Sequence, residues 1–250
     1  MRRVLEKVLR PEVLRLYFPI IYASVVGFAL SLPLFLFGAR GKRAAHKVAR
    51  FWARACLRSA GVKVHVENRH VYDAAKRKVI VANHNSYLDA LIVLYALEGQ
   101  FRFVAMRELL RWPVIGWYMY LAGHYLIDRS RPMSAGRLLY GKVAKDLQNG
   151  ENFSVLIFPE GQISNGQGGR KKVRALTGAW RLAQRGQVPV QTLLIFGSHY
   201  AMPEGELVPR RGSNVRVYIE AIEADNVDDH HTAAVRWVEY QLEGARAAMS

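Results

Sequence analysis

Residues 16–38 contain no charged side chain and lie in the longest uncharged stretch of the chain. A straight helix of that length, rising about 1.5 Å per residue, would cross the roughly 30 Å hydrocarbon layer of a bilayer. Pro33 should kink or end such a helix, and the stretch between Pro19 and Pro33 is too short to span alone. Basic residues flank both ends, so charge bias selects no orientation. We therefore expect a helix that lies in or dips into one leaflet, with both ends on the cytoplasmic face. A kinked span is the alternative.

The net charge predicts an anionic partner. The chain has 36 Lys and Arg against 20 Asp and Glu, a formal charge of +16, and most of the excess lies in the first sixty residues. Basic clusters beside an apolar segment are typical of contacts with anionic lipid. We therefore predict that residues 1–60 are membrane-attachment helices on the cytoplasmic face of the cell (inner) membrane. No nucleic-acid-binding signature is present, so a non-catalytic basic protein that binds membranes or nucleic acid is a remote alternative.

Neither a metal nor a reactive thiol is predicted. Cys56 is the single cysteine, which excludes a disulfide framework, and no local motif marks it as a nucleophile. The Asp228-Asp229-His230-His231 cluster is more economically the acidic start of a final helix than a metal site.

Beyond residue 60, strands alternate with helices, which predicts an α/β fold with a layered sheet flanked by helices. We assign residues 61–250 to this domain. Strands are predicted at 62–66, 78–82, 101–105, 155–158, 188–196 and 215–219. Helices are predicted at 40–58, 87–97, 134–148, 174–184 and 231–248.

His84 directly follows the predicted strand 78–82, and Asp89 comes five residues later. On one helix, that spacing would place the two side chains about 140° apart. They can meet only if His84 lies in the loop and Asp89 in the first helical turn. The carboxylate would then accept one imidazole N–H and leave the other nitrogen free as a base. A capping histidine followed by a helix-terminal charge has the same spacing, so the pair alone does not identify a site.

Three blocks, in order, resemble those of the glycerolipid acyltransferase family, best known from bacterial 1-acylglycerol-3-phosphate acyltransferases. They are Asn83-His84-Asn85-Ser86-Tyr87-Leu88-Asp89, the segment from Arg107-Glu108-Leu109 to Ile127-Asp128-Arg129, and Phe158-Pro159-Glu160-Gly161. The resemblance covers about residues 62–219. It implies that His84 takes the proton from an acceptor hydroxyl while Asp89 orients it. The hydroxyl would attack a fatty acyl thioester directly, without an acyl-enzyme.

The same resemblance implies the substrates. The donor would be an acyl carrier protein or coenzyme A thioester, and the default acceptor 1-acylglycerol-3-phosphate, giving phosphatidic acid. No cofactor or metal is implied, and no oligomeric state is specified. The implied substrate-binding residues are Glu160, Gly161, Arg107, Arg129, Asn83 and Ser86. For Arg129, an ion pair with Asp128 or with a residue of another block is the structural alternative.

Departures from the family pattern leave the acceptor open. Met106 stands where many phosphate-binding members have lysine, and Gln162 and Ile163 replace threonine and arginine. The block at residues 188–192 reads Val-Pro-Val-Gln-Thr rather than Val-Pro-Val-x-Pro. Replacement cations exist at Arg107 and Arg111 and at residues 170–174. The alternative acceptor is therefore a lysolipid without phosphate, such as a lyso-aminolipid.

Residues 112–127 are uncharged and rich in Trp and Tyr. This composition is typical of an acyl-chain tunnel, a lipid interface or an ordinary core. His124, within this stretch, is predicted to be a hydrogen-bonded core histidine.

Overall fold

The computed structural model describes residues 11–149, 152–161, 169–206 and 208–222. Its strands are β1 (Lys63–Glu67), β2 (Val79–Ala82), β3 (Phe101–Met106), β4 (Tyr125–Ile127), β5 (Ser154–Ile157), β6 (Val190–Phe196) and β7 (Asn214–Ile222). Its α-helices are α1 (Pro11–Ser31), α2 (Gly38–Ala60), α3 (Asp89–Ala96), α4 (Ile115–Leu121), α5 (Pro132–Arg137), α6 (Ala144–Asn149), α7 (Gly169–Gly186) and α8 (Ser198–Ala201).

The strands form one sheet in the order β1-β7-β6-β2-β5-β3-β4. From β6 to β4 all neighbours are parallel, whereas β7 runs antiparallel to β6 and β1 runs parallel to β7. The central strands β2 and β5 are buried along their whole length, as continuous apolar runs covered on both faces should be. The predicted α/β layered sheet is confirmed. The carboxyl ends of five parallel strands meet at one edge, which we call the site edge.

The N-terminal segment is a helical hairpin. The α1 helix ends at Ser31, and Pro33 opens a 3₁₀ turn, Pro33–Phe37, that leads into α2. Pro33 therefore ends the helix, as predicted. The Trp52 indole N–H donates to the Ser24 hydroxyl at 2.9 Å and ties the two helices together. By length and apolar composition alone, the segment 17–60 would be able to cross a membrane.

The turn of the hairpin depends on a glycine. A Cβ built on Gly41 would lie 1.6 Å from the Leu34 carbonyl oxygen, so any side chain there would force the two segments apart. In the first half of α1, before the turn, Tyr17 and Ile20 pack against the core on one face of the sheet. The hairpin is thus joined to the sheet domain rather than tethered by a flexible linker.

Three of the described elements, β4, α4 and the short α8, were not predicted, and one helix was predicted too simply. Both β4 and α4 fall inside the uncharged aromatic stretch 112–127, where neither a period of two nor one of 3.6 is visible. The predicted helix 134–148 is α5 and α6 joined by a π-helix, Leu138–Val143. The predicted terminal helix 231–248 lies outside the described residues.

His124 is a partly buried, hydrogen-bonded histidine, and the predicted hydrogen bond is confirmed. Its Nδ1 accepts a hydrogen bond from the Phe103 backbone N–H at 2.9 Å, so the folded protein holds the ring neutral. Burial, together with the nearby charges of His46 and Arg102, lowers the pKa of His124 to about 3. Because the folded pKa lies below the usual 6.5, the stability this neutral ring contributes is present above that value and is lost as the pH falls towards 3.

We therefore expect the free energy of unfolding to fall with acidification below pH 6.5. In His124→Asn, whose amide oxygen replaces the Nδ1 acceptor, the slope should be shallower by up to about 1.4 kcal/mol per pH unit. Urea unfolding in detergent at pH 7, 6 and 5 measures both slopes. Equal slopes for the two proteins would show that His124 is not the group responsible.

Candidate active site

His84 and Asp89 meet at the site edge. His84 lies in the loop after β2, and Asp89 is the first residue of α3, the placement that their spacing requires. The His84 Nδ1 lies 3.0 Å from Asp89 Oδ2. Since a carboxylate oxygen can only accept, Nδ1 carries the proton and Nε2 is the free lone pair. His84 is partly exposed and Asp89 is completely buried, so only the imidazole is open to a substrate.

The Asp89 carboxylate is fixed by the loop that it anchors. Its Oδ2 also accepts the backbone N–H groups of Asn85 at 2.6 Å and Ser86 at 2.8 Å. Three donors on one oxygen compensate for burying the charge and hold the loop in one conformation. Consequently, these two amides are already occupied and are not available to a reaction intermediate.

A second contact sets the plane of the imidazole. The ring of Phe158 stacks on His84 with centroids 4.3 Å apart and an interplanar angle of 21°. Phe158 follows β5, the strand beside β2. The family resemblance assigned residues 158–161 to acceptor binding. It did not predict the stack of Phe158 on His84, because no spacing in the sequence indicates such a contact.

Asn83 and Ser86 face inward rather than toward a ligand. The Asn83 side chain donates to the Ile195 carbonyl at 2.8 Å and accepts the Ile195 N–H at 2.7 Å, which joins the ends of β2 and β6. The Ser86 hydroxyl donates to the Met202 carbonyl at 2.8 Å. Both side chains are buried with their polar atoms engaged. This geometry favours a positioning role over the predicted contact with substrate.

Gly161 and Arg129 lie together beside the imidazole. The Gly161 N–H closes a turn on the Phe158 carbonyl at 3.1 Å, and Gly161 has a positive φ of 68° that favours glycine. A Cβ built on Gly161 would lie 3.9 Å from Arg129 Nη1. Glu160 is partly buried within the same turn. The Arg129 guanidinium thus presents donors for an anion, and Gly161, which has no side chain, leaves space for it.

Arg107 adds a second exposed cation at this edge. It follows β3, and Asp128 follows β4, at neighbouring register positions. Hydrogen bonds from the Ser130 hydroxyl and N–H lower the pKa of Asp128, and the charges of Arg131 and Arg107 lower it further. Asp128 pairs with Arg131 at 3.6 Å; among the described residues it forms no ion pair with Arg129. Among the described residues Arg129 forms no ion pair, so neither structural alternative is observed there.

The remaining predicted cations are only partly located. Met106 ends β3 and brings no charge to the site edge. Gln162 and Ile163 lie outside the described residues, as does the cluster at residues 228–231. Residues 170–174 belong to α7, but their side chains are not described.

Cys56 is buried, and burial raises the pKa of its thiol to about 12, which excludes a reactive thiolate.

The aromatic stretch 112–127 divides between core and surface. Tyr125 is buried, and the Tyr118 hydroxyl donates to the Ala45 carbonyl at 3.0 Å. Trp112, Trp117 and Tyr120 are more than half exposed. Trp117 also lies against Phe28 of α1, with ring centroids 6.2 Å apart. The exposed rings therefore continue the surface of the hairpin onto α4.

Comparison with known proteins gives matches to acyltransferases. The family model described as Acyltransferase matches residues 63–195. A 1-acyl-sn-glycerol-3-phosphate acyltransferase of Chlamydomonas reinhardtii is 31% identical over 207 residues, 77% of this chain and 59% of that protein. The alpha form of the human enzyme of that name is 33% identical over 135 residues, 54% of this chain and 46% of that protein. The chain thus spans roughly half of the curated relatives it matches.

A solved structure shares the fold. The crystal structure of the 1-acyl-sn-glycerophosphate acyltransferase PlsC from Thermotoga maritima superposes with a TM-score of 0.69 at 22% sequence identity. The match covers 96% of this chain and 98% of that one. The agreement therefore extends over the N-terminal hairpin as well as the sheet.

Proposed function

The chain belongs to the glycerolipid acyltransferase family, and on that premise we propose that it transfers a fatty acyl group from a thioester to 1-acylglycerol-3-phosphate, giving phosphatidic acid. The observation that carries the proposal is the juxtaposition of the His84–Asp89 pair with the Gly161–Arg129 anion site. The His84–Asp89 pair supplies the base, and the Gly161–Arg129 site would bind the acceptor phosphate. The names of the curated relatives support the same acceptor.

The proposed reaction is a single displacement through a tetrahedral intermediate. His84 Nε2 removes the proton from the acceptor hydroxyl as its oxygen bonds to the thioester carbonyl carbon. Asp89, bonded to Nδ1, stabilises the imidazolium that results. The intermediate then collapses, the carbon–sulfur bond breaks, and the imidazolium returns its proton to the leaving thiolate. Because the Asn85 and Ser86 amides are occupied, the oxyanion must take its hydrogen bonds from other groups.

The acceptor phosphate is proposed to bind Arg129 and Arg107 in the space that Gly161 leaves open, with Glu160 accepting a hydrogen bond from the glycerol part. The charge of Arg129 faces no described ion-pair partner. Replacing it by alanine removes a charged hydrogen bond, a loss of about 1.5–3 kcal/mol. We therefore expect kcat/KM for 1-acylglycerol-3-phosphate to fall about tenfold to a hundredfold.

The measurement is a kinetic comparison of two acceptors, 1-acylglycerol-3-phosphate and uncharged monoacylglycerol, in the same detergent micelles. Arg129→Ala should lose rate only with the phosphate acceptor, and the exposed Arg137→Ala serves as the matched control. Equal losses with both acceptors would remove Arg129 from phosphate binding. A wild-type preference for a lyso-aminolipid over lysophosphatidate would instead establish the alternative acceptor, which the uncharged Met106 favours.

We also propose that residues 1–60 attach the protein to one leaflet on the cytoplasmic side and that residues 61–250 form the catalytic domain. The hairpin folds back on itself, and Tyr17 and Ile20 are held by the core, which supports insertion into one leaflet rather than a span. Its bilayer-facing surface would consist of exposed apolar side chains, namely Phe18, Ile21, Tyr22, Leu30, Leu36, Phe37, Trp112, Trp117 and Tyr120. The anionic headgroups would meet the basic residues of α2.

The hairpin turn gives a direct test of this attachment. Leu36 and Phe37 are 86% and 69% exposed, and burying each in lipid is worth roughly 1.5–3 kcal/mol. Leu36→Asp with Phe37→Asp should therefore reduce flotation with anionic vesicles about a hundredfold or more. Met133→Asp, at a residue equally exposed but remote from the hairpin turn, should float as the wild type does. Undiminished flotation of the double variant would contradict the proposed surface.

A further inference from the structure

A group of cations lies at the site edge on the side away from the acceptor residues. We call Lys63, Arg210, Arg211 and Arg216 the edge cluster; all four are exposed. The strand β7 runs antiparallel to β6, so its start lies where β6 ends, and Arg216 pairs in register with Phe196. Lys63 pairs with Asn214, at the same end. Among the described residues, none of the four forms an ion pair.

The strand order separates the edge cluster from the acceptor side. His84 follows β2, whereas Gly161, Arg107 and Arg129 follow β5, β3 and β4 on one side of it. The edge cluster belongs to β7, β1 and the preceding loop on the other side. Strands lie roughly 4.8 Å apart, so β1 is about 14 Å from β2 across the sheet. The reaction brings two substrates, the acceptor and the acyl donor, to one imidazole. The donor therefore needs its own route to His84, and the side of the sheet formed by β7 and β1 provides one.

Polar groups line the interval between His84 and the edge cluster. The short helix α8 follows β6, and its Met202 carbonyl binds the His84 loop through Ser86. The Ser198 hydroxyl oxygen and His199 Nδ1 are both buried, and neither has a hydrogen-bond partner in the part of the chain that the structure describes. Ser198 is completely buried. Buried polar atoms of this kind are normally satisfied, so α8 has hydrogen-bonding groups between His84 and the edge cluster that the described part of the protein leaves unused.

The lipid-facing surface lies elsewhere. The hairpin turn meets α4 through Phe35 and Tyr118, and α4 precedes β4 at the opposite end of the strand order. The edge cluster thus faces away from the exposed aromatic side chains that α4 contributes. Glu204 and Glu206 lie in the loop between α8 and Arg210, and among the described residues no ion pair joins them to the edge cluster.

We propose that the edge cluster docks an acidic protein that carries the acyl group as a thioester on a long polar arm, and that the arm crosses α8 to reach His84. This inference rests on the proposed acyl transfer. Four unpaired cations spread over two strand starts and a loop complement an acidic protein surface better than a single nucleotide. Charges of this type act mainly on association rate and on its salt dependence.

The test compares two donors with the same acyl chain, acyl carrier protein and coenzyme A, using the full-length protein in detergent. In Arg210→Glu with Arg211→Glu, the ratio of kcat/KM for the acyl carrier protein donor to that for the coenzyme A donor should fall about tenfold or more. Lys63→Glu with Arg216→Glu is an independent second pair. The exposed pair Lys145→Glu with Arg181→Glu, on α6 and α7, changes the charge equally and should leave the ratio unchanged.

Direct binding of acyl carrier protein to the immobilised enzyme separates this proposal from the proposed function. Binding that falls with salt and is lost in the Arg210→Glu, Arg211→Glu variant supports docking, even if phosphatidic acid is not the product. An unchanged donor ratio with unchanged binding, or a wild-type protein that binds no acyl carrier protein, overturns it. So does an equal loss with both donors, which would mean that the cluster serves the fold or the membrane instead.

Discussion

Asp89→Asn is expected to lower the rate of acyl transfer by about 10²- to 10⁴-fold while the protein remains folded. The amide oxygen can still accept the three hydrogen bonds that Oδ2 receives from His84, Asn85 and Ser86. What disappears is the negative charge that stabilises the imidazolium. The amide nitrogen would in addition occupy the position of Oδ1, a buried atom with no hydrogen-bond partner among the described residues.

The loss should appear in kcat, with little change in KM for either substrate, because Asp89 is buried and touches neither. Initial rates at saturating donor and acceptor measure it. The matched control is Asp73→Asn, an exposed carboxylate near the start of β2, at the opposite edge of the sheet. A variant with intact near-UV circular dichroism and wild-type kcat would exclude Asp89 from the reaction.

The sequence was sufficient to predict the contact between His84 and Asp89 and its setting. A continuous apolar strand that ends at Asn83, followed by an apolar helix, leaves one arrangement in which side chains five residues apart can meet. Both facts are local, so no knowledge of distant residues was required. The end of α1 at Pro33 was predictable for the same reason, since proline acts on its own helix.

The roles of Asn83 and Ser86 depend on distant partners and were not predictable. Asn83 binds Ile195, which is 112 residues away, and Ser86 binds Met202, which is 116 residues away. Only the sheet order brings these groups together. The family blocks therefore place both residues correctly near the site but do not distinguish a ligand contact from a structural tie. The His84–Phe158 stack escaped prediction for the same physical reason.

The presence of cations on the proposed acceptor side was predictable from the sequence, but their positions were not. Arg129 and Gly161 are 32 positions apart in sequence, and the pairing of β3 with both β4 and β5 brings their loops to one edge. Met106 suggested a weaker phosphate site. The neighbouring Arg107 extends into solvent just beyond the end of β3, so a cation is still present at this edge. The strand β4 has only three residues and lies within the aromatic stretch 112–127, so no alternating pattern in the sequence predicted it.

The most direct test of the central claim is phosphatidic acid formation by His84→Ala. Labelled 1-acylglycerol-3-phosphate and an acyl thioester are incubated with equal amounts of wild-type and variant protein in the same micelles, and product is counted over time. The control is His70→Ala, an exposed histidine away from the site. Loss of the base should lower the rate by about 10²- to 10⁴-fold, with His70→Ala unaffected. An undiminished rate in His84→Ala would contradict the mechanism.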